Sequence, residues 1–221
     1  MKKIILSLVV LAAISLTSCS NDEQITDSQS AAQEQQLTKK TAKSALALCD
    51  ATSTSVTVNR WQAPSSTYTN WTPVSATIGS VSVQWEGIYG ASLRPTTGNW
   101  YVGTVTLNQT CANYDSWSSS IVVKNDPANL GAAPTNKFNV LGYDGTISGS
   151  NYGLGYYSYD ISTHIMTPSK AIVIWKSDET GLNSESVTDP ALATEAYLVK
   201  VTSVTPGSSS SAISYTWTQV K

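Results

Sequence analysis

The segment at residues 156–175 reads Y-Y-S-Y-D-I-S-T-H-I-M-T-P-S-K-A-I-V-I-W, with two strand-like runs separated by a polar stretch. Residues 156–161 are rich in aromatic side chains and residues 171–175 in β-branched ones, and both classes favour strands. Between them lie His164, the only histidine of the chain, and Met166, the only methionine besides the first residue. The segment predicts a β-hairpin, which carries either a ligand site at its turn or an ordinary polar turn.

Short runs of alternating apolar and polar residues recur along the rest of the chain. A period of two is typical of half-buried strands. The clearest runs are residues 56–58, 81–85, 100–107, 197–204 and 213–220. No stretch sustains a helical period over three turns, and the connections are too short for the crossover helices that join parallel strands. The sequence therefore predicts an all-β domain, a mostly antiparallel β-sandwich or open barrel.

Other segments give further expectations about the fold. The period of two at residues 100–107 separates Trp100 and Val102 from Tyr101, Val105 and Leu107, which we expect on the opposite side. The short apolar runs 121–123 and 138–141 predict two more strands. Residues 178–194 form a polar loop, with a helical turn expected near residues 190–194.

The first 18 residues have the features of a lipoprotein signal peptide. The chain opens with M-K-K, and residues 4–14 form an apolar run too short to span a membrane. The motif L-T-S-C at residues 16–19 resembles the lipobox of bacterial lipoproteins. The resemblance implies cleavage before Cys19 and lipidation of that residue with several acyl chains, which anchor more firmly than one. An ordinary secretory leader with a chance cysteine is the alternative.

The residues after Cys19 bear on where the protein is anchored. In bacterial lipoproteins a neutral residue such as Ser20 favours the outer membrane, and N-D-E at residues 21–23 resembles short acidic signals for export to the cell surface. Residues 20–45 contain almost no large apolar side chain and predict a flexible tether, because they bury too little surface to offset their ordering entropy. The expected organisation is a signal peptide at 1–18, a lipidated cysteine and tether at 19–45, and an all-β domain at 46–221.

Cys49 and Cys111 remain in the mature chain. In an oxidising export compartment such a pair favours a structural disulfide, with two free buried thiols as the alternative. Their wide spacing, with no C-x-x-C motif and no nearby histidine, removes most of the case for a zinc site.

The charge and the motifs argue against two classes of function. The formal charge is −2 and no basic patch is present, which sets nucleic-acid binding aside. The motif G-x-S-x-G does not occur, and His164 is the only histidine that could activate a nucleophile. The neighbours Asp178 and Glu179 would point to opposite faces of a strand and do not form an acid/base pair. The sequence predicts a protein that is not an enzyme.

The tryptophans offer one binding hypothesis. Trp61, Trp71, Trp100 and Trp117 lie in or beside segments rich in Ser, Thr and Asn, where exposed rings would form a stacking platform for sugars. The alternative is that tryptophan fills a core, since the chain has seven Trp and eleven Tyr but one Phe. Seven tryptophans are too many for a platform alone, so we expect most of them in the core.

The last third of the chain contains an aromatic strand, a turn with Pro168, and three later runs. These runs are I-W-K-S-D at residues 174–178, A-Y-L-V-K-V at 196–201 and I-S-Y-T-W at 213–217. This order of elements resembles the C-terminal half of the HmuY-like haem-binding lipoproteins. The run W-Y-V-G-T-V-T-L-N at residues 100–108 is similar to a strand in longer members. The likeness covers residues 81–221, in pattern more than in identity.

This resemblance implies a surface-exposed outer-membrane lipoprotein that takes haem from host haemoproteins and passes it to a TonB-dependent receptor. The family ligates the haem iron with two side chains, commonly two His or two Met, which makes His164 the first axial ligand expected here and Met166 the second. Two residues apart on a strand, both would project to one face, whereas axial ligands approach iron from opposite sides. A tight loop, a second chain, a water, or a tyrosine such as Tyr152 or Tyr157 would complete the site. The alternatives are a carbohydrate- or surface-binding module and a structural surface lipoprotein without a small-molecule ligand.

Overall fold

A seven-stranded antiparallel sheet is the framework of the computed structural model, which describes residues 49–61, 70–132, 139–178 and 188–221. From edge to edge its strands are β2 (Asn70–Trp71), β1 (Thr52–Trp61), β14 (Ser210–Gln219), β13 (Glu195–Pro206), β12 (Lys170–Lys176), β6 (Trp100–Thr106) and β7 (Val122–Val123). All of the described residues belong to one compact unit, Thr41–Lys221.

The other strands form a second layer and two hairpins. A three-stranded sheet contains β3 (Val74–Ile78), β4 (Val81–Glu86) and β5 (Ser92–Pro95). The hairpins pair β8 (Gly145–Ile147) with β9 (Ser150–Gly153), and β10 (Tyr157–Asp160) with β11 (Ile165–Pro168). Every strand pairing among these elements is antiparallel, which confirms the predicted all-β sandwich.

Helical structure in the described residues is short. One α-helical turn, α1 (Tyr114–Trp117), follows β6 in the chain, and 3₁₀ turns lie at Ile88–Gly90, Ser118–Ser120, Pro127–Asn129 and Pro190–Leu192. The last of these confirms the helical turn expected near residues 190–194. No helix in the described part of the chain is long and apolar enough to cross a membrane.

Apolar side chains pack on both faces of the seven-stranded sheet. In β6, Trp100 and Val102 join a larger core, and Tyr101 and Val105 join a smaller one, as their alternation predicted. The larger core includes Val81, Val83 and Trp85 of β4, Ile172 and Ile174 of β12, and Ile213 and Tyr215 of β14. It fills the space between the large sheet and the three-stranded sheet. The smaller core lies on the other face and includes the buried side chains of α1.

Two of the weaker strand predictions had different outcomes. The run at residues 121–123 contains β7, although this strand is only two residues long. The strand expected at residues 138–141 is wrong for its described part, where Leu141 forms a single bridge with Leu93. Asn139 has a φ of 57°, which breaks the extended conformation that a strand requires. Residue 138 lies outside the described residues.

The hairpin at residues 156–175 has a different second strand from the one expected. The turn at residues 161–164 joins β10 directly to β11, and the run at 171–175 belongs to β12 in the large sheet. Pro168 ends β11 because it has no N–H to continue the ladder. The amides of the next two residues both donate to the carbonyl of Tyr156, and the chain enters the large sheet from there.

A disulfide joins Cys49 and Cys111, with their Cα atoms 5.3 Å apart. Cys49 lies just before β1, which begins at Thr52, and Cys111 lies in the loop between β6 and α1. The bond therefore ties the start of the domain to a loop on the smaller core, against which Cys111 packs. The predicted boundaries at residues 18/19 and 45/46, and the lipidation at Cys19, lie outside the described residues and stay predictions.

A buried lysine makes the stability of this fold depend on pH. Lys124 has no exposed surface, and its Nζ donates to the carbonyl oxygens of Leu154 at 2.9 Å and Tyr152 at 3.2 Å. Burial lowers the pKa of Lys124 from 10.5 to about 8, against an opposing effect of Asp144. Above pH 8 the unfolded chain then binds more protons than the folded one, so the free energy of unfolding should rise with pH until the tyrosines of the unfolded chain ionise near pH 10, their ordinary value.

Urea denaturation at closely spaced pH values from 7 upward would measure this rise. Lys124→Met is the control, because it keeps an unbranched side chain and removes the titrating group. The variant should be less stable overall, since two carbonyls lose their donor, but its stability should be flat over the same range. A wild-type profile that is flat or falls between pH 8 and the onset of tyrosine ionisation would contradict the burial of a charged Lys124.

Candidate functional site

His164 occupies the last position of the turn between β10 and β11, with a φ of 57°. This left-handed conformation costs a non-glycine residue roughly 1–2 kcal/mol. Asp160 holds the turn, since its Oδ1 accepts hydrogen bonds from Ser162 N at 2.8 Å and Ser162 Oγ at 2.7 Å. These hydrogen bonds lower the pKa of Asp160 to about 2. The turn thus presents the only imidazole of the chain at the tip of a hairpin.

Two tyrosine rings lie beside this imidazole, and a tryptophan packs against one of them. The four residues Trp71, Tyr89, Tyr159 and His164 are called the His164 cluster. The ring of His164 lies 6.2 Å from that of Tyr159 and 6.5 Å from that of Tyr89. Tyr89 in turn lies 6.1 Å from Tyr159 and 5.1 Å from Trp71. His164 is exposed, and the other three side chains are half-buried. The cluster is therefore an aromatic surface accessible to solvent.

The two nitrogens of the imidazole have different surroundings. Nδ1 lies 2.7 Å from the hydroxyl oxygen of Tyr159 and 3.3 Å from that of Tyr89, both within hydrogen-bonding distance. Burial and a hydrogen bond with Tyr89 raise the pKa of Tyr159 to about 12, so its phenol is neutral at physiological pH. Nε2 has no hydrogen bond to any of the described residues. The two phenols fix the orientation of the ring and leave Nε2 open to a ligand.

Aliphatic side chains border the cluster. Ile161 and Ile165, on either side of the turn, are 59% and 58% exposed, and Ile88, next to Tyr89, is 39% exposed. These are three of the six large hydrophobic residues that stand exposed in the described part of the chain. Exposed apolar side chains gathered at one place mark binding surfaces more often than scattered ones do.

The other three residues expected at a haem site do not join the cluster. Met166 is 5% exposed and Tyr157 is 2% exposed, and both pack in the larger core. Tyr152 is half-buried with its ring edge-on to Tyr143 at 5.5 Å. His164 belongs to the turn and only Met166 belongs to β11, so the two side chains do not project from one face of a strand.

Comparison with known proteins adds no relative. No family model matches the chain, and no curated protein or solved structure matches it. The resemblance to HmuY-like lipoproteins accordingly stays a prediction.

The four tryptophans proposed for a sugar platform lie in different environments. Trp100 and Trp117 are each 6% exposed and belong to the two cores, so neither can stack on a sugar at the surface. Trp71 is half-buried within the His164 cluster, inclined by 50° to Tyr89. The side chain of Trp61 lies outside the described residues. The flat row of exposed rings that a platform requires is not formed by the described tryptophans.

The sequence does not indicate that Tyr89 and Tyr159 lie beside His164. Tyr159 is in the quoted segment, where the pattern predicts only an aromatic strand. Tyr89 comes from the 3₁₀ turn at Ile88–Gly90, and its own φ of 54° is unusual for a tyrosine. The flanking glycines of G-I-Y-G at residues 87–90 are the one local signal of an irregular backbone there.

Among the described residues, no three His, Cys, Asp or Glu side chains gather as a metal site.

Proposed function

We propose that the protein is a surface lipoprotein that captures haem at the His164 cluster. The observation that carries this proposal is the environment of the imidazole, with Nδ1 held by two tyrosine hydroxyls and Nε2 directed away from them. Histidine is a common axial ligand of haem iron. A ligating histidine is usually oriented by a hydrogen bond from its other nitrogen, which is the role the two phenols would take here.

The surroundings of His164 suit the porphyrin as well as the iron. A porphyrin is flat and largely apolar, and the rings of Trp71, Tyr89 and Tyr159 offer aromatic contact beside the imidazole. Ile161 and Ile165 would lose exposed apolar surface on binding, at roughly 25 cal/mol for each Å² removed from water. Together these contacts would hold the macrocycle while Nε2 holds the iron.

The second axial position would not come from Met166, because its side chain is buried in the larger core. A water or a group from another protein would fill that position. Ligation by one side chain suits a protein that hands its cargo on, since fewer bonds must break when a TonB-dependent receptor accepts the haem. The signal peptide, the lipidated Cys19 and the tether predicted from the sequence would keep the domain at the outer membrane, within reach of host haemoproteins.

A haemin titration of the purified full-length protein tests this proposal. We expect a saturable change in the Soret band at one haemin per chain. His164→Gly should weaken binding by at least about tenfold, while the glycine suits the positive φ of the turn and leaves the fold intact. Met166→Leu is the matched control, because it keeps the core volume and removes the sulfur atom that the sequence suggested as the second axial ligand.

The titration also has outcomes that exclude haem capture at this site. Absence of any spectral change with wild-type protein would rule out haem as the ligand. If wild type and His164→Gly bind haemin with equal affinity, the haem site lies outside the cluster. If only Met166→Leu loses binding, the sulfur of Met166 is the iron ligand.

Carbohydrate binding is the second candidate function, favoured by Trp71. Its half-buried ring lies beside the hydroxyl-bearing Tyr89, a pairing that serves stacking and hydrogen bonding to a sugar. The rings of the cluster are inclined by 50° and 54° to one another and do not form the flat surface that suits a long glycan. A change of tryptophan fluorescence with glycans but not with haemin, lost in Trp71→Ala, would favour this function over haem capture.

A further inference from the structure

The polar atoms of the His164 cluster converge at one point, and their chemistry allows a ligand other than haem. Nδ1 of His164 lies 2.7 Å from the Tyr159 hydroxyl and 3.3 Å from the Tyr89 hydroxyl. One nitrogen and two oxygens therefore form a small triangle at the surface of the domain. Each of these three atoms can bind a metal ion when no proton occupies the lone pair that faces the ion.

The two sides of the triangle that meet at Nδ1 suit one face of an octahedral metal site. Metal–ligand bonds of about 2.0–2.1 Å place neighbouring octahedral donors about 2.9 Å apart. The two distances from Nδ1 lie on either side of that value. We propose that Tyr89, Tyr159 and His164 bind a bare ferric ion through the two phenolic oxygens and Nδ1.

The chemistry of the three donor atoms determines which metal ion the site prefers. Two phenolate oxygens are hard, anionic donors, and they suit a small cation of high charge better than a soft one. Both phenols must release their protons to solvent when the metal binds, and a trivalent ion drives that release more strongly than a divalent ion does. The third donor of the set is Nδ1 of the imidazole. Zinc and copper sites would instead be expected to contain more nitrogen or sulfur donors.

The remaining three positions of an octahedral ion would face solvent. His164 is exposed, and the side chains of Tyr89 and Tyr159 are only half-buried. Water, or the chelating anion that delivers the iron, would occupy these positions. An open face allows the ion to enter and leave without unfolding of the hairpin.

Ferric binding would use Nδ1 and the phenols where haem would use Nε2, and separate titrations test the two proposals. Because a neutral imidazole keeps a proton on one of its nitrogens, the two ligands would compete for His164. The test is the addition of ferric nitrilotriacetate to the full-length protein, followed by visible absorbance. We expect a phenolate-to-iron charge-transfer band that saturates at one iron per chain, with tyrosinate vibrations in the resonance Raman spectrum excited within it. Tyr89→Phe and Tyr159→Phe should each weaken binding at least tenfold, and the double variant should lose the band.

Tyr143→Phe is the matched control, because Tyr143 is a half-buried tyrosine outside the cluster. It should keep the band of the wild type. Absence of a band in the wild-type protein would overturn the proposal, as would a band that persists in the double variant with unchanged circular dichroism. Haemin binding without a ferric band would refute this inference and leave haem capture standing, whereas a ferric band without haemin binding would do the reverse.

Discussion

Replacing Cys49 and Cys111 together by alanine is expected to lower the free energy of unfolding by about 4 kcal/mol. The disulfide closes a loop whose ends are 62 residues apart in sequence. Opening a loop of that length restores conformational entropy to the unfolded chain, and this entropy is the main source of the expected loss. The cost is large compared with the total stability of a typical domain, about 5–15 kcal/mol.

Denaturant titrations of the wild type and the double alanine variant would measure the loss as a shift of the unfolding midpoint. A reducing agent provides an internal control, since it should shift the wild type towards the variant and leave the variant unchanged. Coincident midpoints for oxidised wild type and variant would show that the bond does not constrain the unfolded chain as proposed.

Trp85→Ala is expected to cost about 3–5 kcal/mol, because it removes the largest side chain of β4 from the larger core. Trp85 has no exposed surface, and its ring lies 5.1 Å from that of Tyr215 in β14. The side chain thus joins the three-stranded sheet to the large sheet. An alanine there leaves a cavity that the two sheets can close only in part.

Two further variants make the Trp85 measurement specific. Trp85→Phe should lose less stability, because it keeps a ring between the sheets. Trp71→Ala truncates the same residue type at a half-buried position and should cost less than Trp85→Ala. Equal losses for Trp71→Ala and Trp85→Ala would contradict the assignment of Trp85 to the contact between the sheets.

The strands in which side chains strictly alternate between two sides were predictable from the sequence, because each strand buries the side chains on one or both of its faces. The alternation in β6 placed Trp100 and Tyr101 in opposite cores, and the structure confirms it. The hairpin β8–β9 was not predictable, because its residues G-T-I and S-N-Y-G have little strand preference of their own. The prediction of 171–175 as the second strand of the central hairpin was wrong, because the composition of this run suits a strand in the hairpin as well as a strand in the large sheet. In the sequence, only Pro168 marks the point where the hairpin ends.

The candidate site was predictable only at His164. A single histidine beside a polar turn is visible in the sequence, but its partners depend on the packing of distant segments. Tyr89 reaches the imidazole from a turn 75 residues earlier in the chain, and neither its spacing nor its neighbours predict that contact. Met166 was named because its chemistry suits haem, yet the strand register placed it in the core. Side-chain chemistry drew attention to His164, and tertiary structure determined which residues surround it.

A crystal structure of the full-length protein loaded with haemin would show directly whether the His164 cluster holds the iron. We expect the iron within bonding distance of His164 Nε2, with the porphyrin packed against Trp71, Tyr89 or Tyr159 and Met166 still buried. Iron bound to any other side chain, or a haem that contacts none of the cluster, would contradict this expectation.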